Sequence, residues 1–397
     1  MPSTSSLSST ESLLLQHVRL LDQRLVNIRL DDGIVTTITP YQPPSDQPSS
    51  ELKFHSSAAL EQHTADGNNV HIVDCHGWYV STGWIDLHVH AYAELSPYGD
   101  DMDEIGIQHG VTTIVDAGSC GADEVGILLE KGQSAQTSLL AFLNISKIGL
   151  RRTDELSQLE WIDEELAVQA AQRYSEQIIG LKARISSSVV KASGLEPLRR
   201  ARQLSERLQL PLMVHIGSGP PDIRDVLNLL ADGDVITHYL NGKDNNLFDN
   251  TGQPLPELLA ALARGVHLDV GHGSASFSFE VAEQARAAGI ALQTISTDIY
   301  RGNRLDGPVY NMSNVLSKFW LLGYELEQII DAVTKTAAQW LRRPELAVLE
   351  VGHPADLTLF SIEQATTILT DSNGQQRESN QLITARGVVK DGTFFAC

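Results

Sequence analysis

The chain has 397 residues, 42% hydrophobic and 20% charged, the composition of a folded globular protein with room for one large domain and a smaller one. Its 29 basic and 50 acidic residues leave a net charge of −21, which speaks against nucleic acid or an anionic membrane as partner. Three cysteines, Cys75, Cys120 and Cys397, are odd in number and far apart, so a disulfide framework is not expected and a reducing, cytoplasmic setting is.

The first eleven residues are rich in Ser and Thr and lack a basic side chain, and Leu13-Leu14-Leu15 is too short for a secretory core. No run approaches membrane-spanning length. Residues 12–40 read as short strands, with alternation over 25–30 and a turn at Asp31-Asp32-Gly33. A Pro/Ser-rich stretch from 40 to about 57 reads as a surface loop or a partly disordered segment. Strand character resumes over 70–80. At the far end, 355–360 reads as strand, then a polar loop, then strand again over 382–395. Two β-rich ends predict a small β-sandwich domain assembled from residues 1–80 and 345–397, around a middle domain of residues 81–344.

The middle alternates apolar runs with helical patterns. After the run ending at His88, runs follow at 111–115, 139–145, 178–185, 212–216, 235–239, 266–270 and 292–299. Segments 195–208, 255–264 and 279–288 carry apolar residues at helical spacing. Eight strands with intervening helices predict an α/β fold of the (β/α)₈ TIM-barrel type, whose chemistry gathers at the C-terminal strand ends.

Those strand ends are chemically unusual. His88 and His90 stand one residue apart, so a regular strand puts both imidazoles on one face as a chelate for a divalent metal. The fourth strand carries Lys182, an amine that is costly to bury unpaired. His215 ends the fifth strand, His238 the sixth and Asp298 the eighth. A lone buried histidine is more often structural, and an Asp after a strand is usually a cap or turn former. The coincidence of all six at one barrel mouth is what points to a metal centre.

This set resembles the amidohydrolase superfamily, with its His-X-His on the first strand, Lys on the fourth, His on the fifth and sixth and Asp on the eighth. The runs Val111-Thr112-Thr113-Ile114-Val115-Asp116-Ala117-Gly118 and Lys182-Ala183-Arg184, with the closing Gly352-His353-Pro354-Ala355-Asp356-Leu357, are similar to its amidohydrolase/deacetylase group. The resemblance implies two divalent ions, with zinc suited to the imidazole-rich set and manganese or cobalt as alternatives. His88, His90 and Asp298 would hold one ion and His215 and His238 the other. A CO₂-derived carbamate on Lys182 would bridge them, and a hydroxide shared by the ions would attack the substrate. Asp298 would carry the proton to the leaving group. The related D-aminoacylases place a bridging cysteine after the second strand, which makes Cys120 an alternative ligand.

Arg184, two residues after Lys182, would grip a substrate carboxylate or pair with an acidic neighbour. His272 and Gly273, closing the seventh strand, and Tyr92, after His90, are further candidate substrate contacts; Tyr98, Lys147, Asn241, Tyr300 and Arg301 are rim candidates. Asp86 is expected to orient a histidine or the backbone. The resemblance therefore implies a metal-dependent hydrolase of amide or ester bonds, deacetylating N-acyl amino acids or O-acyl hydroxy acids. The alternative is a cyclic amidohydrolase acting on dihydroorotate or hydantoin rings. An Arg shortly after His-X-His, usual in dihydroorotases, is missing from Ala91-Tyr92-Ala93-Glu94-Leu95, and the well-placed Lys182 disfavours adenine deamination. A catalytically dead scaffold would have lost ligands, yet all six positions are filled. A small molecule is the expected partner, and a homo-oligomer stays open.

Overall fold

A computed structural model describes residues 12–41, 60–65 and 68–397. Most of the expected Pro/Ser-rich loop lies outside the described residues. Among those residues the strands form two sheets, and no helix is long and apolar enough to cross a membrane.

The first sheet gathers both ends of the chain. It contains β1 (Ser12–Arg19), β2 (Leu25–Asp31), β3 (Ile34–Pro40), β4 (Leu60–Ala65), β5 (Asn68–Asp74) and β6 (Tyr79–Thr82). Asp32 and Gly33, with φ of 52° and 76°, make the expected two-residue turn between β2 and β3, since both positions require left-handed backbone. Leu13 and Leu15 on β1 point inward with Val26, Ile28 and Leu30 on β2. The run expected over 70–80 is broken between β5 and β6 by a turn at His76 and Gly77 (φ of 48° and 83°).

The second sheet is the barrel. Its parallel strands run in chain order: β7 (Trp84–Val89), β8 (Val111–Ala117), β9 (Ser138–Asn144), β10 (Ile178–Ile185), β11 (Leu212–Ile216), β12 (Val235–Thr237) and β13 (His267–Asp269). The expected helices occur at Glu196–Leu208, Pro256–Ala263 and Phe279–Ala287. The eighth strand, expected over 292–299, is not a regular strand. Bridges from Thr294 to Asp269 and from Ile299 to Val89 close the cylinder instead. Asp298 interrupts the ladder with φ +51°, while its N–H donates to the His88 carbonyl at 2.7 Å.

The polar loop expected between 360 and 382 is also corrected. β14 (Leu357–Thr370) and β15 (Gln376–Lys390) form one long antiparallel hairpin, followed by β16 (Thr393–Ala396), and they join the first sheet through β6. Exposed polar residues such as Gln364, Thr366 and Asn380 populate the hairpin's outer face, so the apolar alternation that announces a strand fades there. The hairpin lies on the barrel. Trp320 Nε1 donates to Gln381 (2.8 Å), and at the tip Asp371 accepts the Phe279 N–H (3.0 Å), capping the helix Phe279–Ala287.

Candidate metal centre

Side chains inside the barrel follow the strand period of two. Gly180, Lys182 and Arg184 share the inner face of β10, while Leu181 and Ala183 pack outward in the main core. On β11 the inward pair is Met213 and His215. On β7 the ladder register shifts between Asp86 and Val89, and Asp86 explains the irregularity. Its carboxylate accepts the N–H of His88 (3.2 Å) and both the N–H and the hydroxyl of Thr297 (3.0 and 2.5 Å), locking β7 to the closing segment. Burial pushes this carboxyl up to about 7.

The imidazoles converge despite the irregular strand. His88 Nε2 and His90 Nε2 stand 3.3 and 3.1 Å from the same oxygen, Asp298 Oδ1. One ligand atom each from His88, His238 and Asp298 lie within 4.8 Å of one another. The His215 ring meets the His238 ring edge-on, with centroids 4.3 Å apart. Lys182 Nζ is buried among them, 3.2 Å from His88 Nε2 and 3.2 Å from Met213 Sδ. Burial lowers that amine to about 7.

Hydrogen bonds fix the ring nitrogen that His88 and His238 offer. His238 Nδ1 lies 2.5 Å from the Gly271 carbonyl, which can only accept, so Nδ1 carries the proton and Nε2 a lone pair. Among the described residues that buried Nε2 has no partner, an arrangement that costs about 1–3 kcal/mol unless a cation accepts the lone pair. Thr237 Oγ1 donates to Asp269 (2.8 Å) and therefore accepts from His88 Nδ1 (2.9 Å), again turning Nε2 to the cluster. His90 Nδ1 is tied to Ser119 Oγ at 2.8 Å. Burial holds His88 and His215 well below the ordinary imidazole value and His238 at about 3, so these rings are neutral ligands near neutral pH. Burial works to raise Asp298, but the hydrogen bond from His90 and the basic groups around it hold it below the usual carboxylate value. His238 and Asp298 both sit at positive φ, 70° and 51°, a backbone strain of order 1–3 kcal/mol each where it aims a functional group. Neutral nitrogens, one carboxylate and an orphaned buried lone pair fit a divalent cation.

A cavity of about 240 Å³ opens over this cluster, sized for a small molecule. His88, His90, Lys182, Arg184, His215 and Asp298 line it, as do Tyr98 and Tyr300. Arg184 reaches it while its Nη1 donates to buried Glu155 (3.1 and 3.3 Å); burial raises that carboxyl to about 7 against the pull of Arg184.

The other candidates are not brought to the cavity. The His272 ring is buried on Phe277, with Nε2 2.9 Å from Lys318 Nζ and Nδ1 donating to the Gly273 carbonyl, so it has no free edge for substrate. The Gly273 N–H is spent on the Thr297 carbonyl (2.9 Å). Its bare Cα, at φ +55°, instead makes room for Asp298, whose Oδ2 would lie 2.3 Å from an added Cβ. Tyr92 is buried beneath Arg151, 5.8 Å from its ring centroid. Cys120 belongs to the apolar core, where burial pushes its thiol well up; it does not line the cavity. Asn241 is buried and braces the His238 carbonyl, and Arg301 pairs with Asp100.

Residues not singled out from the sequence complete the walls. Lys243, Ser186, Ser188, Ser218, Ser274 and Ser276 all line the cavity. Each follows a barrel strand on the reactive face, a positional signal that small hydroxyl residues in loops do not reveal chemically.

Comparisons with known proteins agree with this architecture. Residues 349–395 match a family model described as a deacetylase-like composite domain. A protein of Enterococcus faecalis named deacetylase is 41% identical over 321 residues, 80% of this chain and 87% of its own length. A crystal structure of an adenine deaminase is 34% identical with a TM-score of 0.86, covering 97% of this chain and 99% of that one. A crystal structure of a dihydroorotase is 30% identical with a TM-score of 0.85, covering 98% and 99%.

Proposed function

The chain belongs to the amidohydrolase superfamily and is a hydrolase, and on that premise we propose that it is a metal-dependent deacylase. Its substrates would be small N-acyl amino acids or O-acyl hydroxy acids. One observation carries the reading: the neutral imidazoles, Asp298 and Lys182 meet at the floor of a small cavity whose wall bears Arg184 and Lys243.

His88, His90, His215, His238 and Asp298 are the residues that would hold two divalent ions, zinc by ligand type, with Lys182 carrying a carbamate between them. Such ions supply an acidified water and a polarised carbonyl. A lysine that burial lowers to about 7 is substantially unprotonated at neutral pH, the form that reacts with CO₂. As an anion it would no longer be a buried ammonium. Asp298 accepts the proton of the attacking water and returns it to the leaving nitrogen or oxygen; the absent Gly273 side chain leaves its Oδ2 room to do so.

The cationic wall favours a carboxylate-bearing substrate. Adenine is uncharged and would leave Lys243 without an anion. A second reading, opening of a cyclic amide such as dihydroorotate or hydantoin, draws support from the likeness to the dihydroorotase structure. The test is an assay of zinc-loaded protein with bicarbonate against N-acetyl D- and L-amino acids, O-acetyl hydroxy acids, dihydroorotate and hydantoin. Hydrolysis of the acyl compounds is expected, and turnover of the rings alone would overturn the deacylase reading.

A further inference from the structure

Two cations face the cavity, but their surroundings differ. Arg184 directs Nη1 at Glu155, whose carboxylate is fully buried 3.1 Å away. Lys243 has no such partner: among the described residues no carboxylate lies in ion-pair reach of its Nζ. It is half-buried, and burial lowers its ammonium from the ordinary value, with the charge of Asp298 only partly offsetting the lost water.

Its position is held from the backbone. Asn241 donates its side-chain amide to the His238 carbonyl (2.9 Å) and accepts the Lys243 N–H (3.1 Å), so one side chain braces both a histidine of the cluster and the lysine. The ammonium is also located across the cavity. A Cβ placed on Gly217 would lie 3.4 Å from Lys243 Nζ, 3.7 Å from His215 Nε2 and 3.0 Å from the Ser186 Cβ. An ammonium, a cluster imidazole and a serine therefore all pack close to the bare Gly217 Cα, and a side chain there would push the Lys243 ammonium away from His215.

We propose that Lys243, rather than Arg184, binds the substrate carboxylate, and that it selects acids whose carboxylate sits on the carbon bearing the scissile nitrogen or oxygen. This rests on the deacylase reading for the identity of the scissile bond. An anion on the Lys243 ammonium lies close to His215, so a short acid, with its carboxylate on the carbon bearing the scissile nitrogen or oxygen, spans the two. Acids with the carboxylate further along the chain match this short span less well. Arg184 serves as the neighbour that Glu155 holds in place.

The test compares zinc-loaded wild type with Lys243→Met and Lys243→Arg on N-acetylalanine and on its uncharged amide. Charged hydrogen bonds of this kind are worth about 1.5–3 kcal/mol, so Lys243→Met should lower the acid-to-amide ratio of kcat/KM about tenfold or more, mostly through KM. Lys243→Arg should recover much of that ratio. An unchanged ratio in Lys243→Met would overturn the proposal whatever its absolute activity. If wild type hydrolyses neither these compounds nor any other acyl compound of the panel above, the deacylase reading fails, and calorimetry with lactate and lactamide decides Lys243 separately. The assignment stands if wild type binds lactate at least about tenfold more tightly than Lys243→Met does. It falls if the two bind lactate equally, or if wild type binds none.

Discussion

The barrel interior has two halves built from the same strands. In the lower half Leu87, Val115, Phe142, Met213 and Val235 pack against one another and against Ala337 and Leu341. Two residues further along β9, β11 and β12 come Asn144, His215 and Thr237, and along β10 Gly180 gives way to Lys182. Every inward group below is satisfied by packing. Above, among the described residues, a buried His238 nitrogen has no protein partner, a buried lysine has no carboxylate contact, and two non-glycine residues sit at positive φ. One repeat of the strand period separates what holds the barrel together from what the barrel exists to hold.

The difference can be broken from either side. Asp298→Asn should produce the largest effect, a fall in kcat of about 10²–10⁴, with stability changed by no more than about 1 kcal/mol; near-normal turnover would refute its role as proton carrier. Phe142→Ala should do the reverse. Truncating this fully buried ring should cost about 3–5 kcal/mol in chemical denaturation while kcat per folded molecule holds.

A gentler probe is pH. Burial holds Lys182, and Lys318 beside His272, at about 7 against the ordinary 10.5. The unfolded chain keeps those protons up to pH 10.5 while the folded one releases them near 7, so stability should rise with pH across that window. Metal-free protein in CO₂-free buffer should unfold at a higher denaturant concentration at pH 8.5 than at pH 7, and Lys182→Met should flatten the trend. A midpoint that falls over that interval would mean these amines are not neutral in the fold. Smallest of all, Tyr300→Phe removes a hydroxyl 2.9 Å from Ser274 at the rim, and KM should rise by about fivefold or less, the worth of one neutral hydrogen bond.

What the sequence made legible follows the same division. Inward-facing residues on regular strands were readable because period-two alternation is local: Lys182, Arg184 and His215 are where that alternation places them. The closing strand was misread because its ladder is interrupted by Asp298 at positive φ and replaced by bonds to Asp86 and His88, some 210 residues away in the chain. The hairpin Leu357–Lys390 was hidden by its polar outer face. His272 and Tyr92 looked available because they flank strand ends, but only the fold shows that each is covered, by Phe277 and Arg151 respectively. The supports of the imidazoles, Thr237 on His88 and the Gly271 carbonyl on His238, depend on contacts between strands that no spacing encodes. Lys243 is not legible for a related reason: a loop lysine carries no periodic signal.

The most direct test is anomalous diffraction at the zinc absorption edge from crystals grown with zinc and bicarbonate. Peaks bonded to the Nε2 atoms of His88 and His238 are expected, with Lys182 lengthened by a carboxylate. A rim without anomalous signal, or zinc bound only elsewhere on the protein, would contradict that expectation.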